Sequence, residues 1–207
     1  MTTWNGGSLI PEELREAASA IGAAVRLGGV ELQEIIIKDC NRILNAYPGW
    51  NIVNGKQIVK YPNILNQVGE LHKDKLVIPD IDAILVNPKG KVVLVISSKG
   101  SLQDDKLYSS IFHYKYFKEK GIEFWVVTKD TKRTFESGES KYFAFIPPNM
   151  KIFINNEDTY NDLINHNFEK WNFNDIVRPY PEIFNHFMRI ITNHKDSSNT
   201  TFFDFNN

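Results

Sequence analysis

The stretch from Leu76 to Leu102, LVIPDIDAILVNPKGKVVLVISSKGSL, constrains this chain more than any other part of it. It reads as two strands joined by a turn, with acids where the first begins and a lysine where the second ends. Pro79 has no amide hydrogen to give a ladder, so it belongs at the beginning of a strand, with Asp80 and Asp82 following. Side chains alternate faces along a strand, which would point Asp80 and Asp82 the same way. Asn87-Pro88-Lys89-Gly90 carries turn chemistry, because proline presets φ and glycine is free to take φ > 0. From Val92 the second strand is apolar on both faces until Ser97, the pattern of a strand buried within a sheet. Ser97 and Lys99 then share a face. Such a hairpin gathers carboxylates and an ammonium at one end of a sheet.

Carboxylates on a buried strand are costly unless they are paired or hold a metal ion. Magnesium takes oxygen ligands from one or two carboxylates and keeps several waters. A neighbouring lysine can orient or deprotonate a metal-bound water and stabilise charge on a phosphate under attack. Those are the requirements of phosphodiester hydrolysis.

Pro79-Asp80, the hairpin, and Ser97-Ser98-Lys99 resemble the signature of the PD-(D/E)XK nuclease superfamily. That signature is Pro-Asp, a hairpin, then acid-any-lysine. Here Ser97 stands in place of the acid two residues before the lysine. Some type II restriction endonucleases look similar, with a small residue at this position and a stretch like Lys99-Gly100-Ser101-Leu102 after it. In them a basic cluster often follows, whereas this chain has Gln103-Asp104-Asp105. The resemblance covers roughly residues 28 to 128. It implies an α/β fold with a mixed central β-sheet flanked by helices, a restriction-endonuclease-like core. It also implies a Mg2+-dependent endonuclease acting on double-stranded DNA, with Asp80 or Asp82 on the metal and Lys99 beside the attacking water. The Pro-Asp pair points to Asp80, while the apolar run Ala83-Ile84-Leu85-Val86 behind Asp82 favours Asp82. The second carboxylate is expected from the upstream helix, as Glu34 or, one turn earlier, Glu31. Ser97 could hold a metal-bound water, and Ser98 lies beside it in the motif. Arg26, Lys129, Lys132 and Arg133 are the candidate phosphate contacts. His113, with Tyr108, Tyr114 and Tyr116, lies on the helix after the motif and could face DNA, although such spacing more often serves packing. Cutting two strands with one such site per chain calls for a two-fold homodimer. The rival readings are a structure-directed nuclease, such as a junction resolvase or repair nuclease, and a nuclease-like domain that binds without cleaving.

Composition narrows the alternatives. With 207 residues, 42% hydrophobic and 24% charged, the chain suits one well-buried domain, and we expect residues 1–207 to form it. A net charge of −1 gives no global attraction for nucleic acid, so any DNA contact needs a local basic cleft. The single cysteine, Cys40, excludes an internal disulfide. The opening MTTWNGGSLIPEELREA lacks a basic-then-apolar leader, and no apolar run is long enough for a bilayer, so the expected setting is the cytoplasm.

Periodicity places the remaining elements. Helices are expected from Pro11 to about Val25 and from Val30 to about Tyr47, the second with Ile36, Ile37, Cys40, Ile43 and Leu44 on one stripe. Pro48-Gly49 stops it, and Trp50 to Val53 reads as a short strand. Asn54 to Lys75 looks like an irregular insert or a small hairpin around Asn54-Gly55. A helix over Leu107–Lys120, strands at Ile122–Thr128, Tyr142–Ile146 and Lys151–Ile154, and helices near Tyr160–Ile164 and Pro181–Ile191 complete the pattern. The tail from residue 195 reads as frayed or dependent on a partner.

Overall fold

The computed structural model describes residues 30–72, 75–130, 145–165 and 175–199. Helix α1 spans 30–44 and buries Leu32, Ile36, Cys40 and Leu44, which recur at four-residue spacing on one face. Pro48 cannot continue a helix, and Gly49 takes φ 84° to turn the chain into strand β1, Asn51–Asn54. A 3-10 turn over Gly55–Lys60 and helix α2, Pro62–Val68, follow. Strands β2 (Glu70–His72) and β3 (Lys75–Val77) then form a separate two-stranded ladder. The segment from Asn54 to Lys75 is thus more regular than its polar sequence predicts. Pro62 at the start of α2 and the buried Ile58, Ile64 and Val68 supply the order.

The motif hairpin forms between β4 (Ala83–Val86) and β5 (Val92–Ser101), antiparallel with Ala83 opposite Ile96, its first strand shorter than the sequence predicts. Its turn is closed by Asn87, whose side-chain oxygen accepts the amides of Lys89 and Lys91 while Gly90 adopts φ 76°. The first eight residues of β5 are buried. Helix α3, Asp104–Glu119, carries the chain back over the sheet to β6, Glu123–Asp130, which pairs parallel with β5. Strand β7 (Lys151–Ile154), helix α4 (Glu157–Asn165), strand β8 (Val177–Pro179) and helix α5 (Glu182–Asn199) complete the described chain.

Among the described residues the main sheet has six strands in the order β1-β4-β5-β6-β7-β8, antiparallel through the first three and parallel from β5 onward. Two apolar layers sandwich it. On one face Ile84, Val95, Phe124, Val126 and Ile152 pack with α2, α3 and α4. On the other Leu85, Ile96, Trp125, Val127 and Phe153 pack with α1 and α5. The chain is therefore a mixed α/β fold with a central sheet flanked by helices. Fully burying each of these large side chains contributes about 1.5–3 kcal/mol, which is why the hairpin's apolar run settles at the middle of the sheet.

Several expectations fall outside the described residues: the helix from Pro11 to Val25, Arg26, Lys132, Arg133, most of the strand from Tyr142 to Ile146, and the tail beyond residue 199. Among the described residues, no helix is long and apolar enough to cross a membrane.

Candidate functional site

The first strand of the hairpin starts later than its sequence suggests. Pro79, Asp80 and Ile81 are not in a strand, the chain bends at Asp82, and β4 begins at Ala83. The carbonyl of Asp82 accepts the amide of Gly55 at 2.9 Å and the side-chain amide of Gln33 at 2.7 Å, while its own amide still donates to the Ile96 carbonyl of β5 at 3.0 Å. The amide of Ser98 instead donates to the Asp82 carboxylate at 2.6 Å, and the Ser98 hydroxyl bonds to the same side chain. Ile81, between the two acids, is buried against the α2 layer.

Two residues that do not stand out in the sequence hold this corner. Gln33 is 2% exposed and donates both to Asp82 and, at 3.1 Å, to the side-chain oxygen of Asn54. That Asn54 oxygen also accepts the amide of Lys56, capping the 3-10 turn. Gly55 lies so close to the acid-bearing segment that a Cβ there would stand 1.8 Å from the Ile81 carbonyl oxygen. The available signal was a polar residue inside an apolar stripe: Gln33 directly follows buried Leu32 on α1.

Lys99 lies two residues past Ser97 on β5, with its side chain 10% exposed, and its ammonium donates to the Asp80 carboxylate. Asp80 itself is 67% exposed at the side chain. Partial burial would raise the Asp80 carboxyl, but the Lys99 hydrogen bond and charge, helped by His113 and Lys106, hold it below the usual carboxylate range. Asp82 moves the other way. Burial pushes its carboxyl up, against the Ser98 bonds and the charge of Lys99, with Asp80 adding repulsion. His113 of α3 is half-buried, edge-on to Phe124 at 6.1 Å, and is lowered by burial and then by Lys99, with Asp80 opposing. The charges of Asp80, Lys99 and His113 thus act on one another, and those of Asp80 and Lys99 reach Asp82, where the hairpin meets α3. The hydroxyl of Ser97, fully buried on β5, has no hydrogen-bond partner among the described residues.

Glu34 is exposed on α1, and no described hydrogen bond or ion pair joins it to Asp80, Asp82 or Lys99. Glu31 is exposed too and pairs with Lys129 of β6 at 3.1 Å, which occupies that candidate phosphate contact. Tyr114 is buried packing, Tyr116 donates to the Val68 carbonyl, and Tyr108 is exposed. Among the described residues, no three His, Cys, Asp or Glu side chains converge as a metal-ligand set.

The donors that are present suit a magnesium ion held by few protein ligands. Asp82 is a partly buried carboxylate whose desolvation is incompletely offset, and a cation would supply the missing charge.

No family model, curated protein or solved structure matches this chain. What it does is therefore read from the site.

Proposed function

We propose that the chain is a Mg2+-dependent endonuclease of the PD-(D/E)XK kind, cutting double-stranded DNA at a short specific sequence. One observation carries the reading: a pinned acid, Asp82, and an enclosed amine, Lys99, are gathered at one end of a central sheet by a single hairpin. Asp82 would hold the ion, with the substrate phosphate and water as further oxygen donors. When bound, that ion lowers the pKa of water and polarises the phosphate. Lys99 orients the attacking water and offsets charge developing on the phosphoryl oxygens. Ser98 fixes the direction of the Asp82 carboxylate, and Gln33 and Gly55 fix its backbone. His113 sits on the wall that α3 contributes. One such corner cuts one strand, so a two-fold homodimer is part of the proposal.

Plasmid DNA incubated with the full chain and magnesium tests it. Discrete linear fragments from the parent, with none from Lys99→Ala or Asp82→Asn, are the expected result. Variants that cut as well as the parent would end the proposal. Glu34→Gln is expected to cut like the parent, since its side chain faces solvent.

A non-cleaving, nuclease-like domain is favoured by one observation. The α1 side chain that reaches the Asp82 segment is an amide, Gln33, where the resemblance expects a carboxylate. Absence of magnesium and calcium binding by calorimetry, with and without DNA, would decide for it.

A further inference from the structure

The two acids of the corner are held in opposite ways. The Asp82 carboxylate is engaged by the backbone amide and hydroxyl of Ser98. Asp80 lies on a stretch without regular structure, mostly exposed, and among the described residues only the Lys99 ammonium holds its carboxylate. An ion pair with one exposed partner contributes little to stability, so exchanging that partner costs little. Lys99 is the constant member, since its side chain is nearly enclosed and needs an anion beside it.

More positive charge surrounds Asp80 than one pair requires. Lys106 and His113 stand seven residues apart on α3, two helical turns on one side of it, and the charges of both act on Asp80. Lys106 also pairs with its neighbour Asp105 at 3.6 Å, both exposed, and Asp82 is the other acid of the corner. Two ammonium groups from two elements, Lys99 and Lys106, thus act on one loosely held carboxylate, with the His113 imidazole joining them as a cation only at acidic pH. A phosphate oxyanion placed there would meet the same partners and could accept more hydrogen bonds from them.

We infer that Asp80 is a displaceable counter-ion: in the free protein it holds, against Lys99, the place that a phosphate oxyanion of the substrate takes on binding. The inference rests on reading this corner as a phosphate-handling site. It separates the two acids, leaving Asp82 as the fixed one and Asp80 as a competitor that keeps Lys99 paired and oriented until an anion arrives.

Pyrophosphate binding to the full chain, measured by calorimetry in the presence of a chelator, tests this without any cleavage. Asp80→Asn and Asp80→Ser are both expected to bind pyrophosphate about two- to fivefold tighter than the parent, the range set by loss of one exposed pair. Asp104→Asn, which removes an exposed acid at the start of α3, controls for bulk charge and is expected to change affinity less. Unchanged or weaker binding by the Asp80 variants, or an equal gain from Asp104→Asn, overturns the inference. In the plasmid assay Asp80→Asn is expected to keep cutting where Asp82→Asn does not. Loss of cutting by Asp80→Asn would make Asp80 a ligand and overturn it as well. A parent that never cuts would remove the nuclease reading alone, because the pyrophosphate comparison still decides the role of Asp80.

Discussion

The backbone amide of Ser98 donates to the carboxylate of Asp82 at 2.6 Å, where a regular hairpin would place a backbone-to-backbone bond. Burial nevertheless raises the Asp82 carboxyl, so the folded chain holds it charged less readily than the unfolded chain does. Its contribution to stability is full below the ordinary carboxylate pKa and is lost as pH rises through the raised folded value. Asp82→Asn keeps an acceptor for Ser98 and removes the partly buried charge. Near neutral pH it is expected to melt at or above the parent temperature while losing cleavage. Asp82→Ala leaves the Ser98 amide without its acceptor and should cost about 1–3 kcal/mol. Thermal melts of the three proteins check the order, and an asparagine variant less stable than the alanine would contradict it.

Gly55 tolerates no side chain. A Cβ there would overlap the Ile81 carbonyl, and relieving it means moving the segment that carries both acids. Gly55→Ala should therefore lower stability by at least about 1–3 kcal/mol, the usual cost of overpacking, and reduce cleavage further than stability alone explains. Urea denaturation with activity measured well below the midpoint separates the two effects. Wild-type activity in Gly55→Ala would show that the segment is free to shift.

Gln33 donates from α1 to two acceptors, Asp82 and Asn54, in a site closed to water. Gln33→Leu fills a similar volume but leaves the Asn54 oxygen with only the Lys56 amide and Asp82 with only Gly55. A loss of about 1–3 kcal/mol is expected. Gln33→Glu should be no milder, because its carboxylate would face a carbonyl and a side-chain oxygen. Chemical denaturation of both variants is the check. A glutamate variant as stable as the parent would mean the side chain has room to turn away.

His113 has its pKa lowered, by burial first and by Lys99 second. The unfolded imidazole takes up a proton more readily than the folded one. Its contribution to stability is therefore full above about pH 6.5 and declines as pH falls through that value toward the lower folded one. His113→Asn should flatten the fall in melting temperature across that window. Asp80 opposes the shift, so Asp80→Asn should move the imidazole titration, followed by NMR, further down. An unchanged titration would show that the two side chains do not act on each other.

The sequence by itself determined the hairpin and its place in the sheet. The apolar run from Val92 to Ile96 can be buried only between two packed layers, and Asn87 to Gly90 leaves one economical turn. The stripe of α1 and the helix after the motif follow from periodicity for the same reason: apolar spacing is local information. What only the tertiary structure decided is which groups meet the acids. Glu34 and Gln33 are neighbours in the chain, yet helical geometry turns the glutamate to solvent and the amide inward against Asp82. Asp80 and Asp82 differ as sharply, because Gly55 and Gln33 capture the Asp82 carbonyl and Ser98 its carboxylate, while the Asp80 carboxylate meets Lys99. That capture depends on residues 27 and 49 positions away in the chain, and no local pattern around Pro79 carries it.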